Sequence, residues 1–199
     1  MPARPGLPRA KSRPKPASSI HALRVEMRGI RPAIYREILV RSDVKLATLH
    51  RVLQACFGWY DGHLHMFLSD DRRITNAAEV EPGDEDEARV RVRDVLPAAR
   101  SKLAYLYDFG DGWEVIVKTV RIRDFAPGPG LPTALLVGGE RRGPPEDCGG
   151  IPGYEELCAA IADPKHPDRA SMLERFGDVG FDPGAFPRDE IEAELRHIR

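Results

Sequence analysis

Residues 20–58 read IHALRVEMRGIRPAIYREILVRSDVKLATLHRVLQACFG, and the period of the apolar residues changes once along them. Leu23, Val25 and Met27 alternate with Arg24, Glu26 and Arg28, the period of two that a strand with one buried face requires. Gly29 and Pro32 interrupt the run, and a second strand is expected over 34–40, near enough to pair with the first as a hairpin. Leu46, Leu49, Val52, Leu53, Cys56 and Phe57 then recur at helical spacing, with Ser42 and Asp43 as N-cap candidates and Gly58 to close the helix. The chain is therefore expected to open β-β-α.

Further along, residues 63–68 alternate again, with His63, His65 and Phe67 assigned to one face, and residues 70–87 read as an exposed acidic loop. Strands are expected over 102–107 and 113–121, joined by the turn Asp108-Phe109-Gly110-Asp111-Gly112 as a second hairpin. A Pro/Gly-rich stretch, 126–132, leads through 135–137 into PPEDCGG at 144–150. A helix is expected from Pro152 with Tyr154, Leu157, Cys158 and Ile161 on one side, ended by Asp163-Pro164, and short helices follow Pro167 and Pro187. Strands first and helices last imply an α+β fold: a largely antiparallel sheet, helices packed on one of its faces, and a helical C-terminal third.

The chain has 199 residues, 42% of them hydrophobic, enough for one sizeable core, and 30 Lys+Arg nearly cancel 31 Asp+Glu. A membrane role and a global polyanion-wrapping field are both excluded on this reading, and the expected compartment is cytoplasmic. Residues 1–18 differ from the rest: they carry five prolines and five Lys or Arg without an acid, so a disordered basic tail is expected there and a single domain over 19–199. The tail is the candidate contact for a nucleic acid or an acidic partner. Cys56, Cys148 and Cys158 form neither a disulfide framework nor a zinc-finger pattern, and Cys56 and Cys158 are expected to be small core residues.

Two segments concentrate chemistry. YLYDFGDGWE at 105–114 gathers Asp108, Asp111 and Glu114 about a tight turn beside Trp113, and such oxygens suit a hard divalent cation, although Asp and Gly also serve turns for conformational reasons. In PPEDCGG, Glu146, Asp147 and Cys148 precede Gly149 and Gly150 at a helix start, where backbone N–H groups either cradle an anion or are capped by those same carboxylates. His63 and His65 are placed to bind one metal ion from a strand, His50 is expected to be structural, and no base adjoins Cys148. Trp59, Tyr60, Tyr107 and Trp113 adjoin turns, where aromatic rings stack on a base, anchor a peptide or pack a core.

Gly29-Ile30-Arg31-Pro32, Leu49-His50, Phe57-Gly58-Trp59, the run 63–67, Tyr107-Asp108-Phe109-Gly110-Asp111, Trp113-Glu114, the run 144–150, Gly153-Tyr154 and Phe181-Asp182-Pro183 together resemble the plasmid pRiA4b ORF-3-like family. Members of that family also appear as TnpR-like passenger proteins of insertion sequences. The resemblance implies an α+β domain and a setting on plasmids and mobile elements, with no established enzyme activity, and no recombinase motif is present. Val115 stands where the family commonly has His, and Gly143 where it often has Cys, which removes two metal ligands. Two function classes follow. One is a non-enzymatic binding module with a polar site built from Asp108, Asp111, Trp113, Glu114, Glu146, Asp147, Cys148, Gly149 and Gly150. The other is a divalent-metal-dependent hydrolase or phosphoryl-transfer enzyme, with Asp108, Asp111, Glu146 and Asp147 as ligands and His63 as ligand or base.

Overall fold

The computed structural model describes residues 19–124, 131–176 and 181–199; the basic stretch 1–18 and residues 126–130 of the Pro/Gly-rich stretch lie outside them. Eight strands form one sheet: β1 (Ser19–Met27), β2 (Tyr35–Arg41), β3 (His65–Ser69), β4 (Arg72–Thr75), β5 (Glu85–Asp86), β6 (Lys102–Tyr107), β7 (Trp113–Asp124) and β8 (Ala134–Glu140). The helices are α1 (Leu46–Phe57), α2 (Val92–Val95), α3 (Gly150–Ala162), α4 (Arg169–Phe176) and α5 (Arg188–Arg196). Strand order is β5-β4-β3-β6-β7-β1-β2-β8, and every pairing is antiparallel except β4 with β5. The protein is thus a mixed α+β fold on a large, mostly antiparallel sheet.

Alternation decides which face is buried. Leu23, Val25 and Met27 of β1, Ile38 and Val40 of β2, and Val115 and Val117 of β7 are all at most 1% exposed, while their neighbours in sequence face out. Leu46, Leu49, Val52, Leu53 and Cys56 of α1 are fully buried in the same cluster, which also takes in Ile191, Leu195 and Ile198 at the C-terminal end. Gly58 ends α1 in the left-handed region at φ 78°. The N-terminal end is built otherwise than expected. Lys45 is the cap residue without a side-chain bond, because Ser42 Oγ accepts from Ser19 N–H (3.0 Å) and Asp43 is taken by Arg41.

Two other expectations are corrected. The acidic stretch 70–87 is no simple exposed loop, since β4 and β5 lie in it and Ile74, Thr75 and Glu87 are buried. Residues 134–140 form an edge strand, β8, whose two glycines, Gly138 and Gly139, weaken the strand signal. Gly139 is required by packing: a Cβ there would meet Tyr35 O at 2.6 Å. β7 runs to Asp124, past the bulge where its register with β1 shifts between Ala22 and Leu23. Helix α3 starts at Gly150, ahead of Pro152, and no helix among the described residues is long and apolar enough to cross a membrane.

Candidate functional site

The β6–β7 hairpin turn and the loop before α3 meet. Gly149 N–H donates to Asp111 Oδ2 (3.1 Å), and Gly150, at φ 66°, brings α3 so close that a Cβ would lie 2.5 Å from Asp111 O. The N–H expected to cradle an external anion therefore holds Asp111, a carboxylate from the other signature, in the favourable field of a helix N-terminus. Neither Glu146 nor Asp147 makes that cap.

The same junction receives the segment before β3. Pairing of His65 with Tyr107, and the Asp108 N–H bond to Leu64 O (3.0 Å), set His63 beside the turn. His63 Nε2 lies 3.2 Å from Asp147 Oδ1, 3.7 Å from Asp108 Oδ2 and 3.8 Å from Glu146 Oε2. Asp108 Oδ1 is anchored by the N–H groups of Gly110 (2.9 Å) and Asp111 (3.3 Å). Glu146 Oε1 is anchored by Tyr107 O–H (2.7 Å) and Tyr60 N–H (3.1 Å). In both residues the second oxygen turns to His63, and Glu146 Oε2 is buried without any hydrogen-bond donor. Among the described residues, no Lys or Arg nitrogen lies within 4.0 Å of these three carboxylates.

Asp108 and Asp147 both sit at φ 55°, a left-handed conformation that costs a non-glycine residue roughly 1–2 kcal/mol. Asp147 and Tyr60 are exposed, whereas Asp108 and Glu146 are buried, so one side of the cluster is open to solvent. Burial, together with Glu146, raises the Tyr107 phenol pKa.

The remaining expected site residues go elsewhere. Trp113 is 1% exposed and packs by Trp59, whose indole N–H donates to Pro144 O (3.0 Å); both tryptophans are core, and Trp59 fixes the PPEDCGG loop. Glu114 points to the opposite face of the sheet and pairs with Arg28 at 2.8 Å. Cys148 is buried, its thiol pushed up to about 12 by burial and Asp111, so it stays protonated near neutral pH, the form that is a poor nucleophile.

His65 does not share a cluster with His63. The strand begins only at His65, whose ring stacks on His50 with centroids 3.7 Å apart and whose Nε2–H donates to buried Glu87 (2.8 Å). His50 donates to Asp61 through Nε2 (2.8 Å), so its neutral form accepts the Tyr105 hydroxyl at Nδ1 (2.7 Å). No side-chain nitrogen or oxygen of this second group is buried without a partner, so although His50, Asp61 and His65 have ligand atoms within 4.8 Å of one another, their polar atoms are already used within the protein.

Residue types alone did not single out the Tyr107 hydroxyl, the Tyr60 N–H or Glu87. The parity of Tyr105 and Tyr107 with His65 across β3 and β6 was the available signal. Val115 is fully buried, and a Cβ at Gly143 would collide with the Phe57 backbone, so neither position offers a metal donor.

Fold and junction together define an α+β protein with an open His/carboxylate cluster at the end of a mostly antiparallel sheet. The chain belongs to the family described as plasmid pRiA4b ORF-3-like protein, whose profile matches residues 19–190. It is 36% identical over 171 residues to the uncharacterized protein y4hQ of Sinorhizobium fredii, covering 84% of this chain and 86% of that one. Its fold is similar to the crystal structure of a protein of unknown function, MM3350 from Methanosarcina mazei Go1, with TM-score 0.78 and 28% identity over 87% of this chain and 98% of that one.

Proposed function

We propose that the chain is a binding module whose centre is a divalent-cation site formed by His63 Nε2, Asp108 Oδ2, Glu146 Oε2 and Asp147 Oδ1. The buried Glu146 Oε2 carries this reading: it has no donor, and it lies 3.8 Å from His63 Nε2. An unpaired buried carboxylate oxygen costs several kcal/mol unless a cation or proton meets it. Four atoms bound to one ion at about 2.1 Å are separated by about 3.0–3.4 Å; ligand atoms of His63, Asp108 and Asp147 already lie within 4.8 Å of one another, and Glu146 Oε2, 3.8 Å from His63 Nε2, has to move toward the two aspartates to complete the set. One imidazole with three carboxylates favours Mn²⁺ or a similar borderline-hard ion over a thiolate-seeking one.

Calorimetric titration of chelator-treated protein with Mn²⁺, Mg²⁺, Ca²⁺ and Zn²⁺ tests the site. One ion should bind per chain, and saturation at a hundredfold above Kd should stabilise the fold by about 2.7 kcal/mol. Asp147→Asn should weaken binding at least tenfold without lowering the melting temperature. Absence of heat and of any thermal shift with all four ions would refute the reading.

The exposed side of Asp147 supports a second reading, a metal-dependent hydrolase or phosphoryl-transfer enzyme, since an ion there keeps a position open for water or a phosphoryl oxygen. Mn²⁺-dependent cleavage of an activated phosphodiester, lost in Asp108→Asn, would support it. We include in the proposal a single domain over 19–199, supported by one core cluster from Leu23 to Ile198, and a cytoplasmic location, supported by three free cysteines. The sequence motifs support a mobile-element setting and the TnpR-like passenger role.

A further inference from the structure

The outer face of the sheet carries a second feature, independent of the cation site. Lys102 on β6 stands directly opposite Lys118 on β7, and Lys118 is opposite Arg24 on β1, so three cations lie side by side on adjacent strands about 4.8 Å apart. Like charges directly opposite one another in a sheet are destabilising. Farther along the same face of β7 stand Arg121, opposite Ala22, and Arg123, opposite Ile20. Lys102, Lys118, Arg121 and Arg123 are exposed, and among the described residues none has a carboxylate within 4.0 Å. Of the nearby acids, Glu26 and Glu37 pair with Arg24 at 2.9 and 3.8 Å and Glu114 with Arg28 at 2.8 Å, while Asp124 lines the groove beside Arg121 and Arg123.

Two shallow grooves run between these cations. One, of about 250 Å³, has Ile116 in its floor between Lys102, Lys118 and Arg24. The other, of about 380 Å³, has Ile20, Ala22 and Leu39 in its floor beside Arg121 and Arg123. Arg24 and Ala22 lie on the same face of β1, two residues apart, so the two grooves are neighbours along the strand.

We infer that this face is a docking surface for a nucleic-acid single strand, with phosphates on Lys102, Lys118, Arg121 and Arg123 and bases laid over the apolar floor. Two residues along a strand span about 6.6 Å, the step of one nucleotide of an extended backbone, so Arg121 and Arg123 suit consecutive phosphates. A duplex would hide its bases from the floor. The floor residues Ile20, Ala22, Leu39 and Ile116 are half-buried between the cations, and Val120, 58% exposed, stands beside them on β7. β1 begins at Ser19, opposite Asp124, so the basic stretch 1–18 joins the sheet at the Arg121 and Arg123 end.

The test is fluorescence anisotropy of the full chain with a labelled single-stranded DNA of about 16 nucleotides, the same sequence as a duplex, and phosphatidylserine vesicles, at 50–200 mM salt. Lys102→Gln/Lys118→Gln should lower single-strand affinity at least tenfold at the lowest salt and flatten the slope of log K against log salt by about 1.4, for two lost phosphate contacts. Both proteins carry residues 1–18, so that difference belongs to the sheet face. Relief of the like-charge pair should leave the melting temperature unchanged or raise it by about 1–3 °C. Should that variant melt lower instead, Arg121→Gln/Arg123→Gln decides by the same two binding criteria. Unchanged affinity and slope would overturn the inference, as would tighter binding to the duplex or to the vesicles than to the single strand.

Discussion

Arg36 shows how much one side chain can hold together. It is fully buried without a carboxylate partner, and Nε donates to Cys56 O (2.7 Å) while Nη1 donates to Tyr35 O (2.8 Å) and Glu140 O (2.9 Å). Its guanidinium lies between the rings of Phe57 and Phe186, 5.3 Å from each centroid. Burial lowers its pKa to about 10, so it remains a cation at neutral pH and joins β2, the end of α1 and β8 by backbone carbonyls alone. Lysine cannot reproduce that fork. Arg36→Lys should therefore cost about 3 kcal/mol or more in urea unfolding, the consequence of carbonyls left without donors in a dry site. Asp147 is the opposite case, a residue whose conformation opposes stability. Asp147→Gly relieves its left-handed backbone and one of three crowded carboxylates, so it should keep or raise the melting temperature of ion-free protein while abolishing Mn²⁺ binding. A lowered melting temperature would mean that Asp147 serves the fold and not a ligand.

Among the elements, the contact between the β6–β7 turn and α3 sets the candidate site, because it brings residues 38 positions apart, Asp111 and Gly149, into a hydrogen bond. Gly150→Ala would force a Cβ against Asp111 O in a left-handed backbone. The expected outcome is a loss of about 1–3 kcal/mol together with weaker Mn²⁺ affinity, both read on one protein by melting and calorimetry. The strands that end at this contact were legible in sequence. β1, β2, β6 and most of β7 alternate cleanly because one face is buried and the other wet. β8 was not, since its glycines and the exposed Leu135 and Val137 blur the alternation, and β4 and β5 are short, charged and held by tertiary contacts. The junction was legible only as two unusual motifs. Their division of labour depends on which carboxylate oxygen is already anchored, and a linear pattern carries no such information. The assumption that alternation extended back to His63 paired it with His65, whereas the strand starts two residues later and sends the two rings to different clusters.

For the whole molecule, one central sheet with its core on one face means that buried titratable groups report on global unfolding. His21, 1% exposed and bonded through Nε2 to Leu96 O (2.9 Å), and His50, 4% exposed, both have pKa values below the ordinary 6.5. Burial is the leading cause in each, and the neighbouring His65 adds to it for His50, against the opposing pull of Asp61. The folded state therefore binds fewer protons than the unfolded chain once pH falls below about 6.5. These two groups contribute their full stability above that value and lose it as pH drops from 6.5 through their lowered native pKa values, each at a slope of at most about 1.4 kcal/mol per pH unit. Asp43 and Glu85, depressed by Arg41 and Arg72, also lose stability on acidification, but only below their unfolded values of 3.8 and 4.5. The windows are separate, so melting temperature at constant ionic strength should stay level from pH 8 to about 6.5, decline toward pH 5, and fall again in the carboxylate range. His21→Gln and His50→Gln should each flatten the first decline and leave the second in place. A melting temperature that rises between pH 6.5 and 5 would show that these imidazoles gain charge more readily inside the fold than outside it, contrary to their burial.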